Sequence, residues 1–201
     1  DPLWSRGLGD VYKRQLFVII ALGESLLVTG ATFAELATSA EGVLAFVVAV
    51  LGSIAMWWVY FDSGAERAHH RIAHSSDPGR QARIAYTYLH VLIVAGIIVS
   101  AVADELVLVH PQHASQAAVL VIVGGPWLFL LGCALFKWVM NERPLPPLSH
   151  LAGLAALLLL LPAAWNQWFS ALALGSLTTL VMLLVAAWET LALRERAASR
   201  Q

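Results

Sequence analysis

Apolar residues fill the chain in six long, nearly uninterrupted runs, at residues 16–36, 43–61, 84–109, 117–140, 148–164 and 169–190. A helix needs about 20 apolar residues to cross a hydrocarbon layer about 30 Å thick. In such a layer every backbone amide has to be satisfied by the protein, which leaves helices or closed barrels. The runs lack the in–out alternation of barrel strands. The pattern therefore predicts an all-α, polytopic transmembrane helical bundle with six spans. The fifth run is the weakest: Pro162 trims it, and His150 and Trp165 stand at its ends. A short or partly re-entrant segment is expected there.

Composition strengthens the membrane reading. Hydrophobic residues make up 59% of the chain and charged residues 12%, against about 25% charged in soluble domains. A net charge of −1 argues against a nucleic-acid partner. The positions of the charges say more than their sum. Arg67, Arg71, Arg80 and Arg83 lie between the second and third runs, Lys137 and Arg143 end the fourth, and Arg194, Arg196 and Arg200 sit in the tail, residues 194–201. The other connections hold Glu35 and Glu41, then Asp104, Glu105, His110 and His113, then Trp-Asn-Gln-Trp. Cations gather on the cytoplasmic side of membrane proteins, so both termini are expected inside, in a bacterial inner (cytoplasmic) membrane. Trp57, Trp58, Tyr60, Tyr86, Tyr88, Trp138 and Trp188 would form the inner aromatic belt, with Trp165 and Trp168 at the outer one.

Residues 1–15 (DPLWSRGLGDVYKRQ) mix glycine and charge without a period and read as a non-native or disordered leader. Their ending resembles a translated library adaptor, so the gene is expected to be longer than this chain. Cys133 is the one cysteine, so no intrachain disulfide forms; it reads as a small packing residue.

Polar residues inside the runs are the candidate chemistry. Glu24 lies about 12 Å into the first span at 1.5 Å per residue. An acidic side chain at mid-span costs about 2.5–3.5 kcal/mol on insertion scales, so it is expected to face a partner or a cavity. Ser25, Thr29 and Thr32 follow at i, i+4, i+7, and Gly23, Gly30 and Ala31 permit close helix approach. On the third span Tyr86, His90, Ile97, Ser100 and Asp104 share a face. His90 lies about 9 Å deep, a depth comparable to that of Glu24. Were the two helices neighbours, Glu24 and His90 would form either a structural hydrogen bond or a proton-sharing pair. Asp62, at the end of the aromatic stretch Trp57-Trp58-Val59-Tyr60-Phe61, has a loop arginine, Tyr86 or His90 as candidate partners.

Gly124, Gly125 and Pro126 predict a helix break in the fourth span, because proline lacks the donor that the preceding turn requires. Such breaks line transport sites, yet prolines are also frequent in ordinary transmembrane helices. His69, His70 and His74 include an i, i+4 spacing suited to a metal, but no glutamate stands in the H-E-x-x-H position and no cysteine is near. That arginine-rich loop reads instead as a contact for anionic lipid headgroups. No metal or other cofactor is expected. Walker, G-x-S-x-G and paired-cysteine zinc patterns are absent, and no enzyme is expected.

The run Leu16-Phe17-Val18-Ile19-Ile20-Ala21-Leu22-Gly23-Glu24-Ser25-Leu26-Leu27, with Thr29-Gly30 after it and Trp57-Trp58-Val59-Tyr60-Phe61 later, resembles the bacterial low temperature requirement A (LtrA) family. The arginine-rich loop and His90 also fit that resemblance. The resemblance implies a longer protein, with several preceding helices that would be partners of this bundle. It also implies that Glu24, Ser25, Tyr60 and His90 face the bundle interior. The family takes its name from a growth phenotype, so the resemblance implies no particular activity. Two functions compete: a proton-linked transporter or ion pathway, and a non-catalytic membrane component for cold or envelope stress.

Overall fold

A computed structural model of the chain describes residues 3–36, 39–62, 88–140 and 145–198 and, within them, every side chain except those of 3–15, 196 and 197. Six α-helices occupy these residues: α1 Leu3–Glu35, α2 Ala40–Phe61, α3 His90–Val109, α4 Gln116–Met140, α5 Leu148–Trp165 and α6 Ala171–Ala198. Each contains a segment long and apolar enough to cross a membrane. The expected all-α bundle of six spans is therefore present. Tyr86, Arg67, Arg71, Arg80, Arg83 and the histidines His69, His70 and His74 lie outside the described residues.

Two expectations about individual helices differ from what is found. The first helix begins at Leu3, ahead of its apolar span Leu16–Glu35, so its backbone is already helical through most of the expected leader. The fifth, at 18 residues the shortest of the six, is a continuous helix that passes through Pro162 and does not turn back. Pro162 sits near its end, where only a few carbonyls remain for the missing donor to leave unpaired.

The helices form a ring in the spatial order α1, α3, α4, α5, α6, α2, with α4 also reaching α6 across the middle. The α4 helix is central, with 61% of its most apolar stretch buried, against 22% for α1. Glycines explain the tight contact between α3 and α4. A methyl group added at Gly125 would lie 2.6 Å from Ser100 Oγ, and one at Gly132 would lie 2.8 Å from a side-chain carbon of Ile93. One at Gly96 would collide with the Phe129 backbone. Lipid supplies no hydrophobic drive between helices, so such backbone approach is how spans associate. Outward faces carry exposed apolar side chains such as Phe17, Ile20, Leu27, Val91, Leu159 and Leu184.

The aromatic residues fall at two levels. Trp57, Tyr88, Trp138 and Trp188 are exposed near the end of the bundle where α2, α4 and α6 finish, called here the Lys137 end. Trp165 and Trp168 are exposed at the other. This is the distribution of interfacial anchors.

Candidate functional site

Two polar assemblies lie inside the bundle, one at the Lys137 end and one near mid-depth. At the Lys137 end, each turn of helix that closes the bundle contributes a polar side chain. Tyr60 from α2 and His90 from α3 are both buried, and Tyr60 Oη lies 2.7 Å from His90 Nε2. Phe136 of α4 meets the His90 ring edge-on at 5.2 Å between centroids. One residue later, Lys137 turns inward. Its Nζ donates to Glu189 Oε2 of α6 at 2.6 Å and to the Val59 carbonyl of α2 at 2.8 Å. Both partners of this ion pair are more than nine-tenths buried. His150 of α5 is fully buried, with Nε2 3.8 Å from Glu189 Oε2 and Nδ1 3.3 Å from Ser149 Oγ. Residues of five helices thus meet in one polar layer, in which His150 Nε2 itself makes no hydrogen bond among the described residues. At its rim, Trp58 Nε1 donates to Thr190 Oγ1 at 3.1 Å, and Thr190 donates to Asp62 Oδ2 at 2.5 Å.

The second assembly is a cavity of about 30 Å³ enclosed by α1, α2, α3, α4 and α6. Its polar lining is Ser25, Ser53, Ser100, Asp104, Thr178 and Thr179, and Met56 and Met182 also line it. Pro126 borders it about 15 Å along α4 from Gln116 at 1.5 Å per residue, near the middle of a bilayer about 30 Å thick. Ser100 and Asp104 are one turn apart on α3, so both reach the same space. Ser100 Oγ is buried and has no hydrogen-bond partner among the described residues. A buried hydroxyl left unpaired costs about 1–3 kcal/mol, and this one packs against Gly125 at the cavity's edge. A water needs roughly 10–15 Å³, so the space suits two waters or a small ion.

The structure sorts the expected site residues. Ser25, Tyr60 and His90 do face the interior. Glu24 does not: it lies on the exposed side of α1, and although α1 packs on α3, the bond to His90 Nε2 comes from Tyr60. The reason is angular, since α1 presents the Ser25–Thr29 face to its neighbours and Glu24 is rotated about 100° from Ser25. Asp62 bonds Thr190, which was not among its expected partners. The expected break at Gly124, Gly125 and Pro126 is corrected as well, because α4 runs unbroken through them. Gly125 serves the close contact with Ser100, and Gly124 faces open space. Pro126 still leaves the Ile122 carbonyl without its usual donor four residues later.

Glu189 escaped the sequence reading, and Lys137 was read only as a marker of orientation. A signal was present: an acidic residue one position before the end of the sixth run and a lysine three before the end of the fourth lie at similar depth. Asp104, expected both beside the outer connection and on the third-span face shared with Ser100, borders the cavity together with Ser100.

Residues 14–187 match the family described as bacterial low temperature requirement A protein (LtrA). Tyr60, His90, Asp104, Lys137 and His150 lie inside the matched stretch, and Glu189 lies just beyond it. A protein of Rhizobium meliloti (strain 1021), described as uncharacterized, is 39% identical over 188 residues, which make up 90% of this chain and 44% of that protein. The chain thus spans less than half of that relative's length. No solved structure matches.

Proposed function

This chain belongs to the bacterial low temperature requirement A (LtrA) family, and on that premise we propose that it forms part of a multi-pass inner-membrane protein that moves protons or small ions. The observation that carries this reading is the mid-depth cavity, where a carboxylate and several hydroxyls meet inside otherwise apolar spans. Polar and ionisable groups are costly at that depth and mark ion pathways in known membrane proteins. Among the described residues no cation pairs with Asp104, so its charge is available to something that enters. The polar layer at the Lys137 end lies about 10 Å further along α6, the rise from Met182 to Glu189. There the Lys137–Glu189 pair closes the bundle below the cavity. In this reading the transport case rests on Asp104 and not on Glu24.

Glu24 has a separate part in the proposal. Its exposed side of α1 is the surface on which further helices of a longer protein would pack, giving the carboxylate a partner away from lipid. The non-catalytic reading has its own support, because the Lys137–Glu189 contact and the Tyr60–His90 bond are enough to lock helices together. Proteoliposomes separate the two. With a pH-sensitive dye inside and an imposed ion gradient, the chain dissipates the gradient and Asp104→Asn does not, at unchanged thermal stability. No difference from empty vesicles, together with a lowered melting midpoint for Asp104→Asn, decides for the structural component.

A further inference from the structure

We propose that the mid-depth cavity is a binding site for one largely dehydrated sodium ion. This rests on the reading of the cavity as an ion position and names the ion. Four features converge. The cavity holds one carboxylate, Asp104, so a monovalent cation brings the buried charge to zero, whereas a divalent cation would leave an excess positive charge in a low-dielectric interior. Its remaining polar groups are hard oxygen donors: the hydroxyls of Ser53, Ser100, Thr178 and Thr179 all line it. Thr178 Oγ1 already donates its proton to the Gly175 carbonyl at 3.0 Å, which leaves its lone pairs as acceptors only. Pro126 supplies the third feature by freeing the carbonyl of Ile122, another residue of the lining. Carbonyls released inside transmembrane helices are ligands for sodium in membrane transporters.

The fourth feature is the unpaired Ser100 Oγ. It is buried, borders the cavity and finds no acceptor or donor among the described residues. A serine in a helix ordinarily turns back to the carbonyl one turn earlier, as Thr29 does to Ser25 at 2.8 Å. Ser100 makes no such bond, and its oxygen packs against Gly125 at the edge of the cavity that Ser100 lines. A volume of about 30 Å³ admits a small cation with a water, and disfavours potassium, which needs longer bonds to every oxygen at once. The Lys137–Glu189 assembly offers no comparable site, because its carboxylate is already neutralised by an ammonium at 2.6 Å.

The test is equilibrium binding of radioactive sodium to the detergent-purified chain, with the melting midpoint followed in sodium, potassium or choline chloride at equal ionic strength. Saturable sodium binding is expected, with a midpoint that rises with sodium and not with choline, and potassium weaker by about tenfold or more. Asp104→Asn abolishes binding, and Ser100→Ala, which keeps the melting midpoint of the parent in choline, weakens it about tenfold, the loss of one hydrogen-bond-sized interaction. Sodium binding no greater than in choline-competed blanks overturns the proposal, as does full binding by both variants. Absent sodium binding alongside Asp104-dependent proton flux removes sodium and leaves the pathway reading standing. Sodium binding without any flux supports the site and removes the pathway.

Discussion

Lys137 Nζ lies 2.6 Å from Glu189 Oε2, and both side chains are shut away from the surface of the bundle. The lysine also donates to the Val59 carbonyl, so one ammonium ties α4 to both α6 and α2. Removing either member takes from the other the opposite charge that offsets its burial, at a cost of about 3–5 kcal/mol. Glu189→Gln and Lys137→Met are each expected to lower the melting midpoint in detergent sharply. The double variant Lys137→Met, Glu189→Met should recover most of the loss, since an apolar pair of similar volume is often neutral. Additive losses in the double variant would refute the pairing.

The α3–α4 contact depends on glycines that differ in what surrounds them. Gly125→Ala places a methyl group 2.6 Å from Ser100 Oγ and is expected to destabilise by about 1–3 kcal/mol. Gly124→Ala, next door, meets nothing within 4 Å and should be neutral or slightly stabilising through its gain in helix propensity. Equal effects of the two, measured by thermal unfolding, would contradict the helix rotation described here.

The face that α1 turns inward is open to the same kind of comparison. Ser25 is 5% exposed, and Glu24 lies on the outer side. In the purified chain, Glu24→Leu should change stability by no more than about 0.5 kcal/mol, as for other exposed positions. Ser25→Leu should overpack the cavity wall and lower the midpoint by an amount typical of buried insertions, about 1–3 kcal/mol. The reverse order would mean that Glu24 is the inward residue.

The cation distribution predicts an orientation with both termini inside, and that prediction is directly measurable. Cys133 is buried, so labelling of the parent chain by a membrane-impermeant maleimide should be slow. Gln112→Cys is expected to label in intact bacterial cells, and Glu195→Cys only after the inner membrane is permeabilised. Labelling of both positions from outside would disprove the shared inward placement of the basic connections.

The secondary structure and the membrane class were legible in the sequence because they depend on local quantities. A run of about 20 apolar residues determines a spanning helix whatever its neighbours are, since hydrocarbon leaves the backbone no other way to satisfy its amides. Six such runs became six helices, and even Pro162 and Pro126 did not interrupt theirs. The identity of the polar residues worth attention was partly legible for the same reason: Ser25, Tyr60 and His90 are conspicuous in apolar surroundings and are buried.

Only the tertiary structure decided which of them meet. Residues 52 positions apart, Lys137 and Glu189, come together because α4 and α6 cross the ring side by side. Tyr60 reaches His90 because α2 and α3 are packed neighbours. Matching depth is computable from the chain by counting residues, but rotation about each helix axis is set by packing, and a rotation of about 100° per residue separates Glu24 from Ser25. The sequence therefore specified how far along its helix each polar group lies, and packing between helices, as at Gly96, Gly125 and Gly132 in the α3–α4 contact, determined where it points.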